Sequence, residues 1–265
     1  MNILALKLIL APLIIGSASL AGRRWGSAVS GWLVGMPLTT GPVVFFVALS
    51  HDPGFAARSA LGVLSGGFSL VIYAVSYAWL ARRFGWLASL AGGLTLFAIS
   101  TAVLEGLTFP LVPLFFAVTG AILLGLRLMP KESPLPPGDE RPGKWDLPAR
   151  ILLGTGIILL LTGIAPFIGP RLTGLLATFP LYISILAVFS QRQQGPGGPA
   201  HMLRGLLYGL FAFAAFFITL GLTIERLGIG WSFGAAAAAA LLVQGCSLVV
   251  LKKSGAVISG PVGDD

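Results

Sequence analysis

Few side chains in this sequence can do acid–base or metal chemistry. The 265 residues contain two histidines, His51 and His201, one cysteine, Cys246, and nine acids. The two histidines fall in loops predicted on opposite faces, and a lone cysteine fits no multi-cysteine metal site. Cys246 lies in an apolar stretch, where we expect a small core residue. We therefore predict no enzyme activity, no catalytic residue, no metal and no cofactor.

Glu105 is the only acid that adjoins a long apolar run on both sides. Acids inside membranes often carry protons, so Glu105 is a candidate for proton coupling. The alternative is an ordinary interfacial acid at a helix end. Lys7 is predicted on the same side of the molecule and is a possible partner for its carboxylate.

Hydroxyl groups cluster at two prolines that interrupt apolar runs. Proline lacks an N–H and clashes with the carbonyl four residues back, so it breaks a helix. At membrane depth such breaks usually face protein or a watery cavity. The pattern predicts a substrate-binding site at the paired breaks, formed by Gly35, Pro37, Thr39, Thr40, Thr178, Pro180, Tyr182 and Ser184. The alternative is two simple kinks whose hydroxyls bond their own backbone.

The composition requires lipid as the solvent for these elements. Hydrophobic residues make up 56% of the chain and charged residues only 10%, against about 25% charged in soluble domains. A membrane-spanning helix needs about 20 apolar residues. The hydropathy pattern predicts nine spans, near residues 3–21, 27–49, 59–81, 86–105, 109–129, 147–167, 171–190, 203–224 and 231–251.

The basic residues predict the orientation. With nine spans, 13 of the 17 Lys and Arg residues lie on one side, which the positive-inside rule makes cytoplasmic. The N-terminus is then outside and the C-terminus cytoplasmic. Because these residues stand singly or in pairs between apolar runs, we expect no nucleic-acid partner. The expected partners are the lipid bilayer and an unknown small molecule, and a second copy of the chain is a further candidate.

The two halves of the chain resemble each other at an offset of 143 residues, without gaps from about Lys7 to Ser89. Pro37-Leu38 aligns with Pro180-Leu181, and Gly62 and Gly66 align with Gly205 and Gly209. Five spans precede the second copy, so equivalent helices cross the membrane in opposite directions. Inverted repeats of this kind are typical of secondary transporters.

These patterns predict an all-α, polytopic membrane protein in which an extra helix joins two inverted four-helix repeats. The predicted parts are a first repeat (1–107), an inverting helix (108–130), a cytoplasmic Pro-rich linker (131–147), a second repeat (148–253) and a tail (254–265).

Small and polar residues are expected to hold the spans together. The glycine pairs Gly31/Gly35, Gly62/Gly66 and Gly205/Gly209 let helices approach closely. The third span also carries five polar side chains expected to bond neighbouring helices: Ser65, Ser69, Tyr73, Ser76 and Tyr77.

The stretch from Gly174 to Ile183, with Phe179-Pro180 inside it, resembles the GlpM family of small bacterial inner-membrane proteins. A polar loop and an apolar span near Arg204 follow in the same order. The loop from Gln191 to Pro199 departs from the family pattern, because it is rich in Gly and Pro. The resemblance implies a bacterial inner membrane and a link to alginate exopolysaccharide production. The duplicated architecture is similar to the drug/metabolite transporter superfamily.

The leading hypothesis is an inner-membrane transporter or exporter of a small neutral, amphiphilic or lipid-like molecule, because no buried charge pair is evident. One alternative is a non-transporting scaffold or accessory factor for envelope or exopolysaccharide biosynthesis. A second is a membrane enzyme acting on lipid, which the scarcity of catalytic side chains argues against.

Overall fold

The computed structural model describes residues 8–9, 12–13, 32–38, 40–131 and 146–253. Within these ranges the regular secondary structure is α-helix throughout. The helices are α1 (Thr40–Ser50), α2 (Pro53–Ala81), α3 (Trp86–Glu105), α4 (Leu111–Leu128), α5 (Asp146–Ala177), α6 (Leu181–Gln194) and α7 (Gly198–Lys253).

Two glycines divide the longest helices into arms. Gly169 in α5 has φ 80° and Gly228 in α7 has φ 73°, a left-handed conformation that glycine adopts without the steric cost of a Cβ. Helix α5 therefore has arms at 146–168 and 170–177. Helix α7 has arms at 198–227 and 229–253.

Five helices are long and apolar enough to cross a membrane. They are α2, α3, α4, the part of α5 from Ile158 to Ala177 and the part of α7 from Gly198 to Ser247. At about 1.5 Å rise per residue, the 29 residues of α2 span about 43 Å, more than the hydrocarbon core of a bilayer. The chain is therefore a helical, membrane-embedded protein, as its composition predicted. The predicted span at 3–21 lies almost entirely outside the described residues.

Helix α2 and the first arm of α7 form the centre of the bundle and run antiparallel. The Cβ position of Gly54, at the start of α2, lies 3.5 Å from Glu225 Oε1 near the end of that arm. Further along, the Cβ position of Gly67 lies 3.3 Å from Phe213 Cε1. Increasing residue numbers in α2 thus meet decreasing numbers in α7.

Helix α4 packs along the antiparallel pair and touches both members. Val118 contacts Gly67 of α2, while Leu111 contacts Gly221 of α7. Much of the remaining surface of α4 is exposed and apolar, including Phe116, which is 65% exposed. In a membrane protein such a surface faces lipid, so α4 lies at the edge of the bundle.

One end of the bundle, which we call the basic end, gathers the C-terminus of α2 with the ends of α4 and α6. Hydrogen bonds join Trp79 Nε1 to the Leu128 carbonyl (2.8 Å), Gln191 Nε2 to the Phe84 carbonyl (2.9 Å) and Arg204 Nη2 to the Pro130 carbonyl (3.1 Å). Its cationic residues are Arg82, Arg83, Arg127, Lys131, Arg192 and Arg204.

The opposite end, which we call the mixed end, carries acids as well as bases. Arg171 Nη2 donates to the Leu104 carbonyl at 2.6 Å, which joins the second arm of α5 to the end of α3. The charged residues here are Asp52, Arg58, Glu105, Arg171, Glu225 and Arg226. Among the described residues, the contacts therefore separate a basic end from a mixed end.

The structure corrects some expectations about single residues. Cys246 is exposed rather than a core residue. Ser65 and Ser76 bond carbonyls of their own helix, at Leu61 and Tyr73, because a helical serine readily reaches back to the preceding turn. Ser69, Tyr73 and Tyr77 do bond neighbouring helices, as expected.

Candidate functional site at two helix breaks

The chain breaks its helical path at Pro37. Residues 32–34 are helical, 35–38 form a turn, and α1 starts at Thr40. Three backbone bonds shape the turn: Met36 N–H to the Leu33 carbonyl (3.1 Å), Leu38 N–H to the Met36 carbonyl (2.7 Å) and Gly41 N–H to the Pro37 carbonyl (2.9 Å). Pro37 is itself buried.

The second break, at Pro180, repeats this geometry. Helix α5 ends at Ala177 and α6 starts at Leu181. The bonds are Phe179 N–H to the Leu176 carbonyl (3.0 Å), Leu181 N–H to the Phe179 carbonyl (2.8 Å) and Ser184 N–H to the Pro180 carbonyl (2.9 Å). Each corresponds to a bond at the first break with both residue numbers raised by 143, and each length agrees within 0.1 Å.

Each break packs against a glycine of a central helix. The Cβ position of Gly35 lies 2.6 Å from Gly209 Cα in α7, so the two backbones touch. Thr178, which aligns with Gly35, packs against Gly66 of α2, which aligns with Gly209. The first break thus packs on the second half of the chain, and the second break makes the aligned contact on the first half. A two-fold relation between similar units produces such exchanged contacts.

A second exchanged pair lies next to the breaks and differs in chemistry. The Tyr73 hydroxyl and Ser184 Oγ are 2.8 Å apart and hydrogen-bonded. The aligned residues are Phe216 and Gly41, and the Phe216 ring lies 3.6 Å from the Cβ position of Gly41. The same contact is therefore polar in one half and apolar in the other.

The hydroxyls at the breaks are not equivalent. Thr178 Oγ1 donates to the Leu175 carbonyl at 2.6 Å, and Ser184 Oγ also donates to the Pro180 carbonyl. These two follow the alternative in which the hydroxyls bond their own backbone. Thr40 is 6% exposed and its Oγ1 has no hydrogen-bond partner among the described residues.

Three predicted site residues need separate mention. Thr39 lies outside the described residues, as does the side chain of Tyr182. Glu105 is exposed at the last residue of α3, at the mixed end rather than at either break. Its suggested partner Lys7 also lies outside the described residues.

Sequence reasoning missed Gln191, which is buried in the last turn of α6. Its Oε1 accepts from the Tyr77 hydroxyl at 3.1 Å, and its Nε2 donates to the Phe84 carbonyl at 2.9 Å. Ser89 Oγ lies 3.5 Å from the same nitrogen. The sequence places Gln191 at the start of a polar loop, where a solvent-exposed glutamine is the ordinary expectation. Only its burial reveals its role.

The described residues show no group of three or more His, Cys, Asp or Glu side chains able to hold a metal ion. The buried polar side chains around the breaks are hydroxyls and an amide, which bind by hydrogen bonding without a formal charge.

No protein-family model, no curated protein and no solved structure matches this chain. The resemblance to the GlpM family and the architectural likeness to the drug/metabolite transporter superfamily therefore stay predictions from the sequence.

Proposed function

We propose that this protein transports a small neutral, amphiphilic or lipid-like molecule across a membrane, by alternating access between two inverted repeats. In such transporters the substrate lies near the mid-plane at the repeat interface, beside discontinuous helices. The observation that carries the proposal is the pair of breaks at Pro37 and Pro180, with matching backbone bonds and exchanged packing contacts.

The antiparallel centre supports the inversion. Helix α2 aligns with the first arm of α7 at the offset of 143, yet the two run in opposite directions, with Gly54 beside Glu225. The loop at Pro53 belongs to the mixed end, whereas its counterpart at Pro196 belongs to the basic end. Parallel repeats would put both loops at one end.

The helix interruptions support nine spans. The positive-φ glycines 169, 195 and 228 fall in the gaps between the sixth and seventh, seventh and eighth, and eighth and ninth predicted spans. On this proposal each arm of α7 crosses the membrane once, and Gly228 marks the turn between them.

The basic end supports a cytoplasmic assignment for that side. Six cationic residues lie there, together with Trp79 and Trp86, which are 46% and 40% exposed. The Arg82 guanidinium lies 5.8 Å from the Trp79 ring, and that of Arg192 lies 5.8 Å from the Trp86 ring. Basic residues beside exposed tryptophans are typical of a cytoplasmic membrane interface.

The chemistry of the first break favours a neutral substrate. A helix N-terminus attracts anions through its free N–H groups. At α1 the Gly41 N–H is already bonded to the Pro37 carbonyl, and Pro42 has no N–H. Thr40 then offers a hydroxyl that both donates and accepts, which suits a neutral polar group on an apolar molecule.

Sided labelling of a cysteine at Thr40 tests the proposal. In a Cys246→Ser background, Thr40→Cys is expected to react with a membrane-impermeant maleimide from either side of the membrane, because the site opens alternately to both. Val118→Cys, buried between α4 and the central pair, is the control expected to stay unlabelled. Labelling from neither side, or from one side only, would favour the non-transporting scaffold.

A further inference from the structure

Helix α6 reaches α2 through side chains rather than through close backbone packing. The helices that pack closely on α2 in the described structure are α1, α3, α4, α5 and α7. Helix α6 instead makes two hydrogen bonds to tyrosines that project from α2, namely Ser184 to Tyr73 and Gln191 to Tyr77. A junction made by a few directional bonds can open without disrupting a packed core.

The stronger part of this junction lies at the basic end. Gln191 is 9% exposed. It binds the Tyr77 hydroxyl through Oε1 and the Phe84 carbonyl through Nε2, with the Ala81 carbonyl 3.3 Å from the same nitrogen. The amide therefore bonds the C-terminal end of α2 and the turn that follows it. We call Gln191, Tyr77 and Ser89 the latch.

The aligned positions at the other membrane face lack these bonds among the described residues. Gln191 aligns with Ala48, and Tyr77 aligns with Leu220; both counterparts are apolar and almost fully buried. Ser89 aligns with Ser232, whose buried Oγ has no hydrogen-bond partner among the described residues. At these aligned positions the two interfaces are therefore unequal in bonding, and the mixed end is joined instead by the bond from Arg171 to the Leu104 carbonyl.

We infer that the latch holds the cytoplasmic side of the repeat interface closed and so biases the resting protein toward the outward-open state. The inference rests on the proposed function. In a two-state transporter built from inverted repeats, one interface closes the cytoplasmic side and its counterpart closes the outer side. The bonds of Gln191, which have no counterpart at the aligned positions, stabilise the state in which the cytoplasmic interface is closed.

Ala187 and Val44 give matched reporters for the two sides. They align at the offset of 143, both are fully buried, and they lie on α6 and α1 one turn from Ser184 and Thr40. Single cysteines at these positions, in a Cys246→Ser background, are labelled with an impermeant maleimide from the cytoplasmic side for Ala187 and from outside for Val44.

Gln191→Ala is expected to raise the labelling rate of Ala187→Cys about tenfold and to lower that of Val44→Cys. One net hydrogen bond lost, roughly 1.4 kcal/mol, corresponds to that factor. Tyr77→Phe removes only one hydroxyl and leaves the glutamine in place. It is expected to raise the labelling rate of Ala187→Cys and to lower that of Val44→Cys, each by about threefold. This variant replaces Gln191→Ala in the test if Gln191→Ala folds poorly.

Three other outcomes overturn the latch, and they differ in whether the transport proposal also fails. If Gln191→Ala raises both rates, the glutamine only stabilises the fold. If Val44→Cys labels from outside, Ala187→Cys labels from the cytoplasmic side, and neither rate responds to Gln191→Ala or Tyr77→Phe, the latch fails while the transport proposal stands. If neither cysteine labels in any background while loop cysteines do, the latch and the transport proposal both fail.

Discussion

Gly174 shows how little space single residues have where α5 packs against α2. Its Cβ position lies 2.1 Å from the Ser59 carbonyl oxygen and 2.7 Å from the Val63 nitrogen. Both neighbours are backbone atoms of α2, which cannot turn aside as a side chain can. Close backbone approach of this kind is how small residues stabilise helix pairs in lipid.

We expect Gly174→Ala to destabilise the protein by about 1–3 kcal/mol, the usual cost of overpacking. The second arm of α5 must move away from α2 to admit the methyl group. The matched control is Gly163→Ala in the same helix, where no atom lies within 4 Å of the Cβ position. Thermal unfolding in detergent measures both variants, and equal midpoints would refute the tight contact.

The hydroxyl groups illustrate a limit of sequence reasoning at the residue scale. Thr40, Thr178 and Ser184 all stand beside a predicted break, and the sequence offers no way to rank them. In the structure Thr178 and Ser184 bond nearby carbonyls, whereas Thr40 Oγ1 finds no partner among the described residues. The difference comes from rotamer and neighbours, which depend on distant helices.

At the scale of elements, the helix interruptions have two separate causes. Pro37 and Pro180 break helices because their nitrogens cannot donate. Gly169 and Gly228 instead adopt a positive φ, which turns the chain between two apolar arms. The sequence predicted span boundaries near Gly169 and Gly228 and breaks within spans at Pro37 and Pro180, but not that Gly228 would carry a left-handed conformation.

We expect Gly228→Ala to lower stability by about 1–2 kcal/mol, because an L residue is strained at φ 73°. Crowding is not involved, since no atom lies within 4 Å of its Cβ position. Gly234→Ala, in the second arm of α7 and also uncrowded, is the control. It is expected to be neutral or slightly stabilising. A Gly228→Ala protein that unfolds at the same temperature as the control would show that the turn tolerates other residues.

For the whole molecule, the decisive property is the relative direction of the two halves. Helix α2 packs antiparallel to the first arm of α7. Loops that align in sequence therefore lie at opposite ends of the bundle. The exchanged contacts at Gly35–Gly209 and Gly66–Thr178 support the proposed inverted repeats, because two similar units around a two-fold axis produce such pairs.

Loop accessibility in intact membranes checks this arrangement. Single cysteines replace Pro53, Pro137, Pro196 and Leu227 in a Cys246→Ser background; Leu227 is chosen beside Gly228 because the glycine conformation excludes a side chain. We expect positions 53 and 227 to label from outside, and positions 137 and 196 only after the membrane is opened. Labelling of 53 and 196 from the same side would mean parallel repeats and would remove the transport proposal.

The sequence by itself determined that the chain is a helical membrane protein, where its apolar helices break and which end collects the basic residues. These properties follow from local chemistry: apolar runs, prolines without an N–H, and the spacing of Arg and Lys. The tertiary structure decided that Thr40 Oγ1 has no partner among the described residues, that Gly174 touches the backbone of α2, and that Gln191 bonds Tyr77. Those partners lie more than a hundred residues apart in the chain, and only the packing of the helices brings them together.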